Sequence, residues 1–489
     1  MRRVSIASEA VLRREFEQEG YTLRMERYSV MMGAGKKLCA VFAAAIVILF
    51  CSCQTARADA ADLFDAGDVH RIDIMLSDRD WSDLLSHPVD KTKYKADLLI
   101  DGEPVNNVSF ATKGTSSLLI AASDPENDRY SLKVNFGYFT EGQTWHTLRE
   151  LHLLSMFADA TYMKDYLCYS MFRKMEVPAP RASYVWLTVN GEDHGLYLAV
   201  ENMDEHFLAE GSLEGGSLYK PEEDSNPGAD PTAGPAKPFG ADLVYSDDSA
   251  DSYGNIFNNT VTEEDPDAQA RVIRSLKSLQ DRQNLKDCLD TEEIIRYFAV
   301  HNFVGNYDSY TGPKSHNFYL YERDEKLALF PWDYNLAFGA FPSDGQFGHV
   351  SDSTWVVNQG IDTPLVCVTE DARPMWRWIV SDAAYLEEYH RTVNRLIKDY
   401  FESGAFEKEI DELHEMLFPY VEKDPTAFYS PEEFEAAYRT LRELCLLRAA
   451  SVRLQLDGLL SADTDLQTEE TRVDASQLSV KAMGVIEEK

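Results

Sequence analysis

The fold of this chain is decided by one stretch, GNYDSYTGPKSHNFYLYERDEKLALFPWDYN, at residues 305–335. Its segments HNFYLY and KLALFPW are apolar and aromatic, and the charged turn ERDEK between them predicts a β-hairpin. Asn317 lies near the start of the first strand, and Asp333 lies at the end of the second. Antiparallel pairing brings both to the open end of the hairpin, and Asp308 ends the preceding helix only a loop away. We therefore expect three oxygen-bearing side chains to converge.

This set of side chains is suited to a hard metal ion. Two carboxylates and an amide oxygen are ligands for Mg²⁺ or Mn²⁺, and they leave room for water and phosphate oxygens. One carboxylate could instead stay off the metal and accept a proton from an attacking hydroxyl. The order Asp308, Asn317, Asp333 is the order of base, metal-binding Asn and metal-binding Asp in a protein kinase. The alternative is that these residues only cap turns, as single Asp and Asn residues at hairpin ends usually do.

The first half of the chain predicts strands and one long helix. The dipeptides Asp101-Gly102 and Asn190-Gly191 are typical of two-residue hairpin turns. Residues 160–175 have apolar side chains at helical spacing. We predict a twisted antiparallel sheet packed with this helix.

Two upstream elements could bind phosphate. The small-residue turn KGTSSL, which begins at Lys113, can present backbone N–H groups and hydroxyls from Gly114, Ser116 and Ser117. Lys133, in the strand-like segment RYSLKVNF, can supply the positive charge that so acidic a chain needs there. The alternative for Lys133 is an exposed position on the solvent face of the sheet.

The second half of the chain predicts helices after a long insert. Residues 215–269 are rich in Gly, Pro, Asp and Ser, and they predict a flexible surface excursion. Asp290 followed by Glu293 is typical of a helix start, and helical spacing recurs up to about residue 460. Residues 461–489 are polar and acidic and predict a disordered tail.

Residues 1–59 predict an N-terminal extension followed by an export signal. Two lysines precede an apolar run, KKLCAVFAAAIVILFCSC at residues 36–53, that is shorter than a membrane-spanning helix. This pattern is typical of a signal peptide, cleaved after a segment such as ARADA. Alternatively, Cys51 or Cys53 is the lipidated first residue of a lipoprotein, or the signal stays as an uncleaved anchor. We expect a secreted or cell-surface protein. Either the N-terminal lipid or the uncleaved signal would tether it to the membrane.

The charge of the chain excludes one class of partner. Its 47 basic residues against 83 acidic ones give a net charge of -36. Such a chain repels nucleic acid, so we expect no nucleic-acid partner. His301 and His316 lack the spacing of a metal-binding pair, and we expect structural hydrogen bonds for both.

Several separated motifs resemble the spore coat protein H (CotH) kinase-like family. They occur in order between residues 64 and 460, and they are KGTSSL, VNGEDHGLYLAVENMDEHFL, GSLYKP, RYFAVHNFVGNYDSY, HNFYLY and PWDYN. The resemblance implies an α+β, atypical protein-kinase-like bilobal fold. An antiparallel-sheet N-lobe for nucleotide binding would span residues 64–205, and a mainly helical, catalytic and metal-binding C-lobe would span residues 206–460.

The resemblance also implies roles for the candidate residues. Asp308 matches the catalytic aspartate, Asp333 and Asn317 the metal ligands, and Lys133 the phosphate-binding lysine. The acidic partner of Lys133 is either Asp165, on the predicted helix, or Glu201, at the predicted hinge. The separation from Asp308 to Asn317 is nine residues, longer than in a conventional kinase loop, and it decides whether Asn317 reaches the metal.

The implied activity is transfer of the γ-phosphate of ATP, with Mg²⁺ or Mn²⁺, to serine or threonine of secreted or surface proteins. The protein partner would be rich in Ser and Thr. Two other functions use the same residues: a non-catalytic surface pseudokinase that binds a partner, and a metal-dependent hydrolase of phosphoesters.

Overall fold

The computed structural model describes residues 63–65, 67–222, 240–341, 352–484 and 486. The predicted extension and export signal at residues 1–59 lie outside the described residues. Among the described residues, no helix has the length and apolar character needed to cross a membrane.

Seven strands in the first half of the chain form a closed barrel. They are β1 (His70–Met75), β2 (Tyr94–Ile100), β3 (Glu103–Thr112), β4 (Leu132–Asn135), β5 (Glu150–Leu154), β6 (Ala182–Val189) and β7 (Glu192–Glu201). Their order around the barrel is β1-β2-β3-β4-β5-β7-β6. Both predicted two-residue turns are confirmed, because they join β2 to β3 and β6 to β7. The barrel strands pair antiparallel as predicted except at one place, where β1 and β6 pair in parallel and close the barrel.

Strands β6 and β7 are buried on both faces. Val185 and Leu187 point into the barrel core, whereas the alternate residues Tyr184 and Trp186 join the larger core formed with the helices. Successive side chains of a strand point to opposite faces, so this hairpin serves two cores at once. That position explains its nearly continuous apolar sequence.

The helices and a small second sheet make up most of the remaining structure. The helices are α1 (Asp78–Ser86), α2 (Ser116–Ala121), α3 (Lys164–Lys174), α4 (Glu205–Glu210), α5 (Gly254–Phe257), α6 (Pro266–Asp281), α7 (Leu285–Cys288), α8 (Thr291–Val304), α9 (Ser353–Asn358), α10 (Pro374–Val380), α11 (Ala383–Leu396), α12 (Ala405–Val421) and α13 (Pro431–Leu456). The sheet has the order β10-β9-β8, with β8 (Ser217–Tyr219), β9 (Phe318–Arg323) and β10 (Lys326–Pro331). The architecture is therefore mixed α+β, as predicted, and its division into two kinase-like lobes stays a prediction.

Two segments expected to be flexible are largely folded. The predicted insert at residues 215–269 contributes β8, which pairs with β9, and buries Tyr253 and Ile256; its residues 223–239 lie outside the described part. The predicted disordered tail at residues 461–489 is wrong for its described residues, since Val480 and Met483 are buried. Both segments hold isolated apolar residues within polar sequence, and it is long-range packing that orders them.

A buried ion pair joins the barrel to the segment that follows α12. Arg129, just before β4, donates to Asp424 Oδ2 at 2.9 Å, and both side chains are fully buried. Asp424 also accepts from the backbone N–H groups of Leu196, at 2.9 Å, and Thr426, at 3.0 Å. Gly195 (φ +110°) lies against this carboxylate: a Cβ there would be 2.0 Å from Asp424 Oδ1.

We predict that Gly195→Ala destabilises the protein more than Gly191→Ala does. Both glycines have a positive φ, but no atom of the described residues lies within 4 Å of a Cβ at Gly191. Gly191→Ala should therefore lower the free energy of unfolding only through backbone strain, by about 1 kcal/mol. Gly195→Ala should lower the free energy of unfolding by at least about 2 kcal/mol more, because the hydrogen bonds of Asp424 keep it from moving away from the new Cβ. Urea unfolding of both variants measures the difference, and equal costs would contradict this account of Gly195.

We also predict that His194→Phe flattens the dependence of stability on pH. Burial lowers the pKa of His194 to about 3, whereas a histidine in the unfolded chain has a pKa near 6.5. Between these values the unfolded state binds a proton that the folded state does not, so stability falls as the pH falls. The wild type should lose about 1.4 kcal/mol per pH unit below pH ~6 from this residue, and the variant should not. Urea unfolding at pH 5 and pH 7 tests this, and parallel pH profiles would refute it.

Candidate active site

Asp308 lies in the loop that follows α8. This helix ends at Gly305, which has a left-handed conformation (φ +60°). The buried side chain of Asn306 then accepts from the Asp308 N–H at 3.2 Å and donates to the Asp333 carbonyl at 2.9 Å. Asn306 thus ties the loop that carries Asp308 to the chain at Asp333.

The predicted convergence of Asp308 and Asn317 is present. In the hairpin, Phe318 pairs with Pro331, so Asn317 and Asp333 both extend from its open end. The loop after Asp308 folds back, and Asn317 Nδ2 donates to Asp308 Oδ2 at 3.0 Å and to its carbonyl at 2.8 Å. The nine-residue separation therefore does not keep Asn317 from Asp308.

Helix α3 adds a third carboxylate, Asp165. Its Oδ1 accepts from the Tyr334 N–H at 2.7 Å, and the neighbouring Asp333 N–H donates to the hydroxyl of Tyr169 at 3.0 Å. Burial and the charge of Asp333 raise the pKa of Asp165 to about 7. Burial, together with the charge of Asp308, raises the pKa of Asp333 above its ordinary value. Asp333 is therefore close enough to both other carboxylates for like charge to act between them.

Lys113 is the lysine with the largest electrostatic effect on Asp333. Burial lowers the pKa of Lys113 to about 8, and among the charges around it Asp333 acts most strongly in the opposite direction. The Lys113 ammonium lies 5.7 Å from the centre of the Trp332 ring. The Lys220 ammonium lies 5.9 Å from the same ring centre, and Lys220 also lowers the pKa of Asp333.

Lys133 has a different environment from the one we predicted. Its ammonium pairs with Glu150 Oε2 at 2.6 Å, and its side chain is 39 % exposed. The expectation that Asp165 or Glu201 is its partner is therefore wrong. Glu201 pairs with Arg181 at 2.6 Å. The partner was not visible in the sequence because Glu150 lies on β5, which is joined to β4 by an irregular loop.

The remaining candidates lie at the end of β3. Gly114 has φ +109°, a conformation that favours glycine. Ser116 and Ser117 begin α2, whereas we expected the whole KGTSSL segment to be a turn. Among the described residues, no contact places either hydroxyl against the carboxylates, so their binding of phosphate stays a prediction.

Sequence reasoning did not single out three residues near the carboxylates: Asn306, Lys220 and Glu222. Lys220 belongs to GSLYKP, a motif that carries the family resemblance but does not by itself indicate a role for the lysine. It pairs with Glu222 at 2.7 Å. His301 makes the structural hydrogen bonds that we expected, to Tyr334 and Thr311 at 2.8 Å each.

The donor set fits a hard divalent cation. Among the described residues, no group of three or more His, Cys, Asp or Glu side chains has the arrangement of a metal site. The candidate ligands are instead two carboxylates and an amide. Burial is the largest cause of the raised pKa of Asp333, and the charge of Asp308 adds to it while Lys113 and Lys220 oppose it. A cation at this corner would relieve that repulsion.

Comparison with known proteins gives a consistent assignment. The family model described as CotH kinase protein matches residues 111–452. The inner spore coat protein H of Bacillus subtilis is 24% identical over 357 residues, which cover 72% of this chain and 90% of the relative. An inner spore coat protein H-like protein of the same organism is 43% identical over 54 residues, covering 11% of this chain and 18% of that protein.

The family model covers well over half of the chain, and the matched region contains Asp308, Asn317 and Asp333. The chain therefore belongs to the CotH kinase protein family.

Proposed function

We propose that this protein is an ATP-dependent kinase that phosphorylates serine or threonine in secreted or surface proteins. The observation that carries the proposal is the convergence of Asp308 and Asn317, in direct contact, beside Asp333 and Lys113. In a kinase-like centre these positions correspond to base, metal ligands and phosphate-binding cation. The family assignment supports a kinase-like protein, and the phosphotransfer is our proposal.

Asp308 is the proposed general base. Its carboxylate is only 22 % exposed, and it accepts hydrogen bonds from Asn317 and from the ring nitrogen of His316 at 3.1 Å. Asp308 would accept the proton of the acceptor hydroxyl while that oxygen bonds to the γ-phosphorus of ATP. Such proton transfer contributes about 10²–10⁴-fold to a rate.

Asp333 and Asn317 are the proposed ligands for Mg²⁺ or Mn²⁺. A bound divalent ion would neutralise developing charge on the phosphates. Lys113 takes the phosphate-binding role that we expected for Lys133, because Lys113 interacts with Asp333 while Lys133 is paired with Glu150. Gly114, Ser116 and Ser117 follow Lys113 directly and would add backbone and hydroxyl donors.

The proposed fold is a two-lobed, atypical kinase. The barrel would serve as the nucleotide-binding lobe, and the helices with the β8–β10 sheet would serve as the catalytic lobe. This arrangement is supported by the origin of the site residues, since Lys113 follows β3 while Asp308, Asn317 and Asp333 come from the second half of the chain. The closed barrel is a departure from a conventional kinase sheet.

The proposed location is the cell surface or a spore coat. The relative named inner spore coat protein H supports a coat or surface location. The predicted export signal supports a secreted or lipid-anchored form, and a Ser- and Thr-rich protein is the proposed acceptor. The net charge of -36 makes a basic acceptor segment favourable and nucleic acid unfavourable as a partner.

We predict that Lys113→Met strongly lowers phosphotransfer and that Lys133→Met does not. Lys113 directly follows β3 and Lys133 lies on the neighbouring strand β4, but of the two it is Lys113 that acts strongly on Asp333. Loss of a phosphate-binding charge should lower kcat/KM for ATP by about 10²–10³-fold, by analogy with loss of one transition-state donor. Transfer of labelled γ-phosphate to a Ser/Thr-rich acceptor measures it. Loss of activity in Lys133→Met with retention in Lys113→Met would reverse the assignment.

We also predict that Asp308→Asn and Asp333→Asn fail at different steps. Asp308→Asn should keep its affinity for Mg-ATP and lose transfer by about 10²–10⁴-fold, since only the base is removed. Asp333→Asn should lose Mg²⁺-dependent ATP binding. Both variants should fold, because each removes one of two carboxylates between which like charge acts. Calorimetric Mg-ATP binding, beside the transfer assay, separates the two effects.

The same assays distinguish the other two functions. Equal transfer by the wild type and both Asp variants would contradict the proposed mechanism. A folded wild-type protein that does not bind Mg-ATP would support a pseudokinase. Release of phosphate from small esters without a protein acceptor would support the hydrolase.

A further inference from the structure

His316 lies between two carboxylates, one of which is the proposed base. Its Nε2 is 3.1 Å from Asp308 Oδ1, and its Nδ1 is 3.9 Å from Glu222 Oε2. The imidazole is 25 % exposed, so it is largely enclosed by protein. This histidine therefore bridges the base and the chain that follows β8.

The contacts of Asp308 divide between its two carboxylate oxygens. Oδ2 accepts from Asn317 at 3.0 Å, and Oδ1 faces His316. Without His316, only one oxygen would be held by a side-chain donor from the described residues. The carboxylate could then rotate about its terminal bond, a torsion with a broad energy minimum. A base must point its lone pair at the proton it takes, so this second contact fixes its orientation.

Glu222 is close enough for an electrostatic contact with the ring of His316, although 3.9 Å is too long for a hydrogen bond. The Glu222 N–H donates to the Asn255 carbonyl at 3.1 Å, and its carboxylate pairs with Lys220 at 2.7 Å. Its position is therefore fixed by both its backbone and its side chain. Residues that contact a functional side chain and fix its orientation typically contribute about 10–100-fold to activity.

We propose that His316, oriented by Glu222, is a positioning residue that holds Asp308 ready to accept the hydroxyl proton. The inference rests on the proposed function, because it describes how the base of that reaction is held. The balanced step is simple: the acceptor O–H bond breaks and its proton passes to Asp308. The acceptor oxygen bonds to the γ-phosphorus, and ADP leaves with the electron pair of the broken P–O bond.

The first experiment compares four variants of the full chain in the phosphotransfer assay. His316→Leu should lower kcat about 10–100-fold and leave KM for ATP unchanged. His316→Gln, whose amide can replace the N–H donor, should recover most of the activity. Glu222→Gln should show a smaller loss of kcat. As the matched control, His390→Leu on α11 removes a similar His–carboxylate pair, at 2.7 Å from Asp362, and should leave kcat within about twofold of the wild type.

A double-mutant cycle tests whether His316 acts through Asp308. In the Asp308→Asn background, His316→Leu should cause no further loss, because the group that it positions is already gone. A wild-type kcat in His316→Leu, or the same fractional loss in both backgrounds, would overturn the proposal.

A second readout does not depend on catalysis. In protein labelled with ¹⁵N-histidine, the His316 Nε2–H should give an NMR signal protected from exchange with water, and Asp308→Ala should abolish that protection. A rapidly exchanging wild-type signal, or protection that survives Asp308→Ala, would overturn the positioning role. Failure of phosphotransfer with the protected signal intact would count against the proposed function alone.

Discussion

Burial of Asp333 beside two other carboxylates is the constraint on which the candidate site depends. Asp165, Asp308 and Asp333 each come from a different element, and burial and like charge raise the pKa of both Asp165 and Asp333. Such an arrangement costs stability unless positive charge is brought to it. In a chain with a net charge of -36, basic side chains are outnumbered by acidic ones, 47 to 83. Their placement at this corner is therefore informative about function.

The cations reach the corner from two separate parts of the chain. Lys113 extends from the end of barrel strand β3, and Lys220 follows β8 in the second sheet. Both ammonium groups lie near the ring of Trp332, the residue immediately before Asp333. The aromatic ring can therefore attract both positive charges through its face. Because the barrel and the second sheet supply one lysine each, the site is complete only when both parts of the fold are assembled.

The sequence predicts the parts of the site that depend on local pairing. A hairpin brings its two ends together whatever surrounds it, so Asn317 and Asp333 could be placed from residues 305–335 alone. The choice between Lys113 and Lys133 depends on long-range geometry. Lys133 lies opposite Ala111 in the β3–β4 pairing and beside His152 on β5, where Glu150 is within its reach. The parallel closure by β1 and β6 was equally hidden, because no short-range signal joins strands that are so far apart.

The C-terminal segment contacts the residues that carry the site, and this contact explains why a polar, acidic segment is ordered. The fully buried ammonium of Lys164, next to Asp165, donates to the carbonyl of Asn335 at 3.0 Å and to that of Gly484 at 3.3 Å. One lysine therefore links α3, the chain just beyond Asp333 and the C-terminal segment. Burial lowers the pKa of Lys164, and such a group is stable only while its acceptors stay in place. The position of Asp333 thus depends on residues that composition alone would assign to a tail.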